Sequence, residues 1–197
     1  MLDDKLKLFL FSCLLIFIFS IGSAAFARDD LSDRLIKVPN RQLAVVKIID
    51  DARAEYADCE NALKCSSVIK RRDKAIAANL ENANFTNWIG RIKTLDTTSD
   101  GDAIVRIQAF KTSIDVGTWN NSLSDVMDET LIKNGSKMYD RLAEMEIDDL
   151  VVFSGRFIRE GSLTEAGNAR APHFIVRFSD VRWPVLDDTM PKEKAAK

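Results

Sequence analysis

The chain has 197 residues, 46% of them apolar and 29% charged, which is enough material for one sizeable hydrophobic core. Its 28 basic and 30 acidic side chains give a net charge of −2, so no bulk positive field draws the whole molecule to nucleic acid or anionic lipid. With one histidine and three cysteines, it has little material for a metal centre or a nucleophile–base pair.

The first element is an export signal. Met1 to Lys7 carries two lysines, Leu8 to Ile21 is apolar apart from Ser12 and Ser20, and Ala25-Phe26-Ala27 supplies a small-x-small cleavage pattern. Cleavage after Ala27 yields a chain starting at Arg28, with 26 basic and 28 acidic residues, bound for the bacterial periplasm. The apolar stretch falls short of the ~20 residues a spanning helix needs, so a stable membrane span is not expected after cleavage; retained, it would anchor the chain.

Residues 28–84 follow as a helical arm. From Asn40 to Leu80 the sequence is polar and free of glycine and proline, with Leu43, Val46, Ile49, Tyr56 and Leu63 at helical intervals and Pro39 just ahead. The basic cluster Lys70-Arg71-Arg72 with Lys74 reads as a solvated helix face, with phosphate contact as the alternative. Loss of Cys13 with the signal leaves Cys59 and Cys65, an even pair in an oxidising compartment. Six residues along an unbroken helix turn the side chain by about 600°, nearly to the far side, so a Cys59–Cys65 disulfide requires two helices.

At Phe85 the pattern changes to short branched and aromatic runs separated by turn signals. Five strands are expected: Thr86–Leu95, Ala103–Phe110, Ser113–Trp119, Leu150–Arg159 and His173–Arg182. The turn at 97–101 joins the first two, and Ser136 caps a short helix carrying Met138, Leu142 and Met145 ahead of strand four. Three strands, a helix, then two strands is the order of the OB-fold. Gly90 and Gly155, in mid-strand, suit the sharp bends of a small barrel. The expected class is α+β, mainly β: a five-stranded Greek-key barrel over 85–183 with a helix between strands three and four. A flexible tail follows at 184–197.

Asn87-Trp-Ile-Gly-Arg-Ile92, the Asp100-Gly101 turn, Thr118-Trp-Asn-Asn121 and the V-x-F-S-G-x-F run from Val151 to Phe157 carry a family likeness. Over Phe85–Trp183 the chain resembles bacterial exported OB-fold proteins of the tRNA-anti-like group. The resemblance implies a barrel of binding type without naming a ligand. Nucleic acid is the usual OB-fold ligand, but an exported member rarely meets one.

No catalytic constellation is legible. His173 has no nucleophile in a recognisable motif, and a strand-end histidine after Pro172 reads as structural. Asp100 with Asp102, and Asp125 with Asp128, complete no calcium-loop pattern. The loop Glu160–Ala171 holds Gly161 and Gly167 without a Walker lysine or dinucleotide spacing. No metal or cofactor is expected.

Strand alternation is more informative. With Trp88, Ile92, Val105, Ile107, Ile114, Val116, Phe174, Val176 and Phe178 inward, Arg91, Lys93, Arg106, Gln108, Asp115, Trp119 and Arg177 point outward. Arg91 and Arg106 are then expected as cross-strand neighbours near Trp119. Arg91, Lys93, Arg106, Trp119 and Arg177 become the candidate ligand-binding set. Outward Ile89, Ile104, Phe110 and Ile175 predict that the arm covers part of the same surface, and the 85–183 region carries 12 basic against 15 acidic residues. The expected function is a non-catalytic envelope module that engages another protein as an adaptor. The alternative is a binder of an anionic polymer, single-stranded nucleic acid or an acidic glycan, on the basic and aromatic face.

Overall fold

The polar stretch after Pro39 forms two helices, α1 (Asn40–Ala57) and α2 (Ala62–Asn79). Asn61 starts the second by accepting a hydrogen bond from the Lys64 amide at 3.0 Å. The break lies between the two cysteines, and Cys59 and Cys65 are bonded across it with Cα atoms 5.4 Å apart. The structure, a computed structural model, describes residues 36–161 and 164–185. The expected signal, 1–27, and all but the first two residues of the expected tail lie outside them. Among the described residues no helix is long and apolar enough to cross a membrane.

After a short 3-10 turn at Glu81–Ala83 come β1 (Asn84–Thr97), β2 (Ala103–Ala109) and β3 (Asp115–Gly117). Two short helices, α3 (Ser122–Asp125) and α4 (Lys137–Leu142), lead to β4 (Leu150–Glu160), and α5 (Glu165–Arg170) precedes β5 (His173–Arg182). The strands close a barrel in the order β1-β2-β3-β5-β4, with β3 and β5 parallel and the other pairs antiparallel. All nine side chains assigned inward by alternation are buried. Phe85, Trp88, Phe153 and Phe157 meet mostly edge to face, with centroids 4.8–6.3 Å apart, and fill the interior.

Closure of so small a barrel needs backbones in close approach. A Cβ on Gly90 would stand 2.5 Å from the Gln108 carbonyl oxygen, and one on Gly155 2.5 Å from that of Arg177, so neither site accepts a side chain without displacing backbone. Register shifts interrupt the ladder between Ile92 and Thr94 and beside Gly155, where the strands bend.

Two expectations change in detail. β3 is shorter than Ser113–Trp119 because its flanking amides bond to side chains instead of a strand: Ile114 N–H to Thr112 Oγ1 at 3.1 Å, and Trp119 N–H to Thr130 Oγ1 at 2.9 Å. The segment Glu160–Ala171 is not all loop, since Thr164 Oγ1 accepts from the Gly167 amide and caps α5.

The arm belongs to the barrel's core. Val45, Ile49, Ile76 and Leu80 are buried in the same apolar cluster as the barrel interior, each burial contributing about 1.5–3 kcal/mol. The amide of Gln42, fully buried, donates to Ile89 O at 2.7 Å and accepts from Ile89 N–H at 2.8 Å. Arg72 is also buried, contrary to the solvated face expected for the Lys70–Lys74 cluster. It donates to Asn168 Oδ1 at 2.6 Å, pairs with Glu160 and Asp73, and lies over the Phe174 ring. Arg71 pairs with Glu55 on the surface, and Lys70 and Lys74 are exposed.

Candidate ligand-binding cleft

Strand register builds the site. Thr94, Arg106, Gly117, Ile175 and Arg159 pair successively across β1, β2, β3, β5 and β4, making one row. Gly117 puts no side chain between Arg106 and Ile175, and the row sinks into a cleft of about 590 Å³. Arg106, Trp119, His173, Thr94, Asn120 and Ser124 offer it polar or aromatic groups, and Ile104 and Ile175 its apolar surface. Among the described residues none of the arm lines it, and α1 and α2 dock instead around Ile89, Ser113 and Glu160.

Trp119 is held rigidly. Its indole Nε1–H donates to Asp128 Oδ2 at 2.7 Å, and the Arg159 guanidinium stands 6.0 Å from its ring centre. Arg159 also bonds Asp128 Oδ1 at 2.7 Å, and Arg177 donates to the Asp128 carbonyl. Behind this, Asp125 accepts from the Thr130 amide and hydroxyl at 2.5 and 2.7 Å and from the Leu131 amide at 3.1 Å. The two aspartates thus spend their carboxylates on fixing the loop that presents Trp119. The other acidic pair acts similarly: Asp100 takes the Ser122 hydroxyl, and Asp102 takes Lys133 and the Asn134 amide, which hold its carboxyl below the ordinary value.

Of the five residues predicted to bind ligand, Arg106 and Trp119 line the cleft, and Arg177 stands by the same loop, 3.5 Å from Glu129. Arg91 and Lys93 do not join them. Arg91 stands opposite Gln108, two positions from Arg106, so the two arginines are not directly paired, and the bulge after Ile92 sets Thr94 instead of Lys93 opposite Arg106. Arg91 donates to Asp148 O at 2.8 Å, and Lys93 pairs with the Asp148 carboxylate, whose pKa it lowers through that hydrogen bond. A continuous cationic strip is therefore absent among the described residues, and Arg106 itself lies 4.0 Å from Asp115.

His173, expected as a structural strand-end residue, lines the cleft. Its ring packs so closely on Gly161 that a Cβ there would sit 2.7 Å from Nδ1. Burial pushes its pKa below the ordinary imidazole value, against the pull of Asp115 and with a small push from Arg106, so it is neutral at pH 7. Its Nε2 and Asp115 Oδ1 are buried with no hydrogen-bond partner among the described residues, and the two residues are paired across β3 and β5. The one sequence signal for this placement was a glycine opposite a strand-initial histidine, which needs the register to be read. No family model, curated protein or solved structure matches the chain.

Proposed function

We propose that the chain is an exported, non-catalytic binding module of OB-fold type, related to the tRNA-anti-like group, that holds a carboxylate-bearing sugar chain in the Arg106–Trp119 cleft. The observation that carries the reading is that helices α1 and α2 of the arm dock elsewhere on the barrel and that, among the described residues, none of the arm lines this cleft. The strand order, with helices between β3 and β4, supports the OB-fold assignment, and OB-folds hold oligosaccharides and oligonucleotides on this kind of surface. Chemistry favours the sugar. A fixed indole offers a stacking platform, Asn120, Ser124 and Thr94 offer hydroxyl partners, and Arg106 offers one charge contact rather than the row a phosphate backbone needs. The Cys59–Cys65 bridge accords with periplasmic export.

The test is binding of the purified protein to oligogalacturonate and to soluble peptidoglycan fragments, with single-stranded oligo-dT alongside. Sugar binding lost in the Arg106→Glu, Trp119→Ala double variant supports the proposal. Binding to oligo-dT alone, or to nothing at low salt, removes it.

A protein partner is the second reading, favoured by a different observation. Leu123, Val126 and Met127 are 86%, 68% and 84% exposed on the loop that Asp125 holds fixed. Three large apolar side chains displayed on a rigid support are suited to contact with another envelope protein, the adaptor role. Crosslinking in intact cells from position 123 or 127 checks it, and recovery of uncrosslinked protein only would dismiss it.

A further inference from the structure

Side chains alternate along β5, so Phe174 faces the core while its neighbours His173 and Ile175 line the cleft. Gly161 completes that wall and donates its amide to His173 O at 2.9 Å. The same carbonyl accepts from Asn168 Nδ2 at 2.7 Å. Asn168, fully buried, in turn accepts from the Arg72 guanidinium at 2.6 Å. A second route leaves the other guanidinium nitrogen: Arg72 pairs with Glu160, the residue before Gly161 and the ladder partner of Phe174. The guanidinium also lies 5.3 Å from the centre of the Phe174 ring. One buried side chain of α2 thus reaches β4, α5 and β5 behind a single wall of the cleft. A guanidinium in such a place is a poor device for stability alone, since an apolar set of the same volume does about as well. What it adds is a rigid planar fork that fixes two segments relative to each other.

We propose that Arg72 is a positioning residue of the cleft, holding Gly161 and His173 in the shape that a ligand meets. It acts through Asn168 and Glu160 and touches no ligand itself. This rests on the cleft being the sugar-binding surface. The arm then contributes to binding without lining the site. The bonds from Arg72 are made before ligand arrives, so α2 keeps them in the loaded state, and the affinity gained is that of a wall ordered in advance.

His173 is the only histidine in the chain, so imidazole resonances of the untagged protein report the wall without ambiguity. Burial holds the ring's pKa below 6.5, while Asp115 raises it and Arg106 lowers it. Arg72→Met and Asn168→Leu are each expected to move that titration midpoint up towards 6.5 as the ring gains solvent, and to weaken oligogalacturonate binding about tenfold. Asn168→Leu changes no charge, so its midpoint reports loosening of the wall alone, and it carries the test if Arg72→Met fails to fold. Gln42→Leu disturbs the arm at Ile89 instead and is expected to alter neither midpoint nor affinity. Unchanged midpoints in the two wall variants, equal changes in Gln42→Leu, or a shifted midpoint with unchanged affinity overturns the positioning role and leaves the cleft reading intact. No binding of oligogalacturonate or peptidoglycan fragments by the unaltered protein overturns both.

Discussion

Replacing Gln42 by leucine tests whether the arm is part of the folded core. The Gln42 amide makes two bonds to one residue, and the two are not equivalent. Ile89 O also accepts from the Phe110 amide at 3.0 Å and keeps a partner when Gln42 is lost. The Ile89 N–H donates to Gln42 Oε1 and would lose that acceptor at a partly buried site against the fully buried Gln42. Leucine nearly conserves volume and leaves no cavity to speak of, so the cost is that of one stranded donor, about 1–3 kcal/mol. Gln42→Glu is the informative companion, because it preserves the acceptor but sets a second oxygen against Ile89 O. It is expected to cost at least as much as leucine despite its better shape. Urea unfolding with the disulfide intact measures both, and loss of exchange protection at the Ile89 amide locates the effect. A change under about 0.5 kcal/mol for both variants, with Ile89 still protected, would refute the docking geometry.

Other outcomes follow from the same contacts. Converting both Cys59 and Cys65 to alanine should lower stability by about 2–3 kcal/mol, the chain-entropy value for so short a loop, and the native protein should weigh two hydrogens less than its reduced form. Arg72→Met strands the buried Asn168 oxygen and removes the guanidinium from the Glu160 carboxylate, with an expected loss of about 3 kcal/mol by urea titration, tempered by the partial exposure of Glu160. Because His173 binds its proton less readily folded than unfolded, the unfolded chain holds more protons between the folded value and the ordinary 6.5. Stability should therefore fall as pH drops below 6.5, by at most about 1.4 kcal/mol per pH unit, and His173→Gln should flatten that slope.

What the sequence disclosed was set by local physics. Alternation along each strand placed the nine interior side chains, because a period of two leaves little freedom once one face is apolar. Helix geometry tied the Cys59–Cys65 bridge to a break in the arm. Relations between distant segments stayed hidden. Nothing near Ile92 announces the bulge that takes Lys93 out of register with Arg106, because a bulge is decided jointly with the partner strand. Arg72 reads as part of a solvated face and nothing in the polar arm singles out Gln42, because their burial depends on Ile89, Asn168 and Glu160, 47 to 96 positions away. His173 became a cleft residue through its pairing with Asp115 and the absence of a side chain at Gly161.

On the proposed reading the barrel's β2–β3–β5 surface, and not the arm, meets the ligand. Backbone amide shifts recorded while oligogalacturonate or peptidoglycan fragments are added test it most directly. Perturbations confined to Ile104–Arg106, Gly117–Ser124 and His173–Ile175, with α1 and α2 silent, are the predicted result. Perturbations centred on the arm, or none in the cleft at saturating ligand, would contradict it.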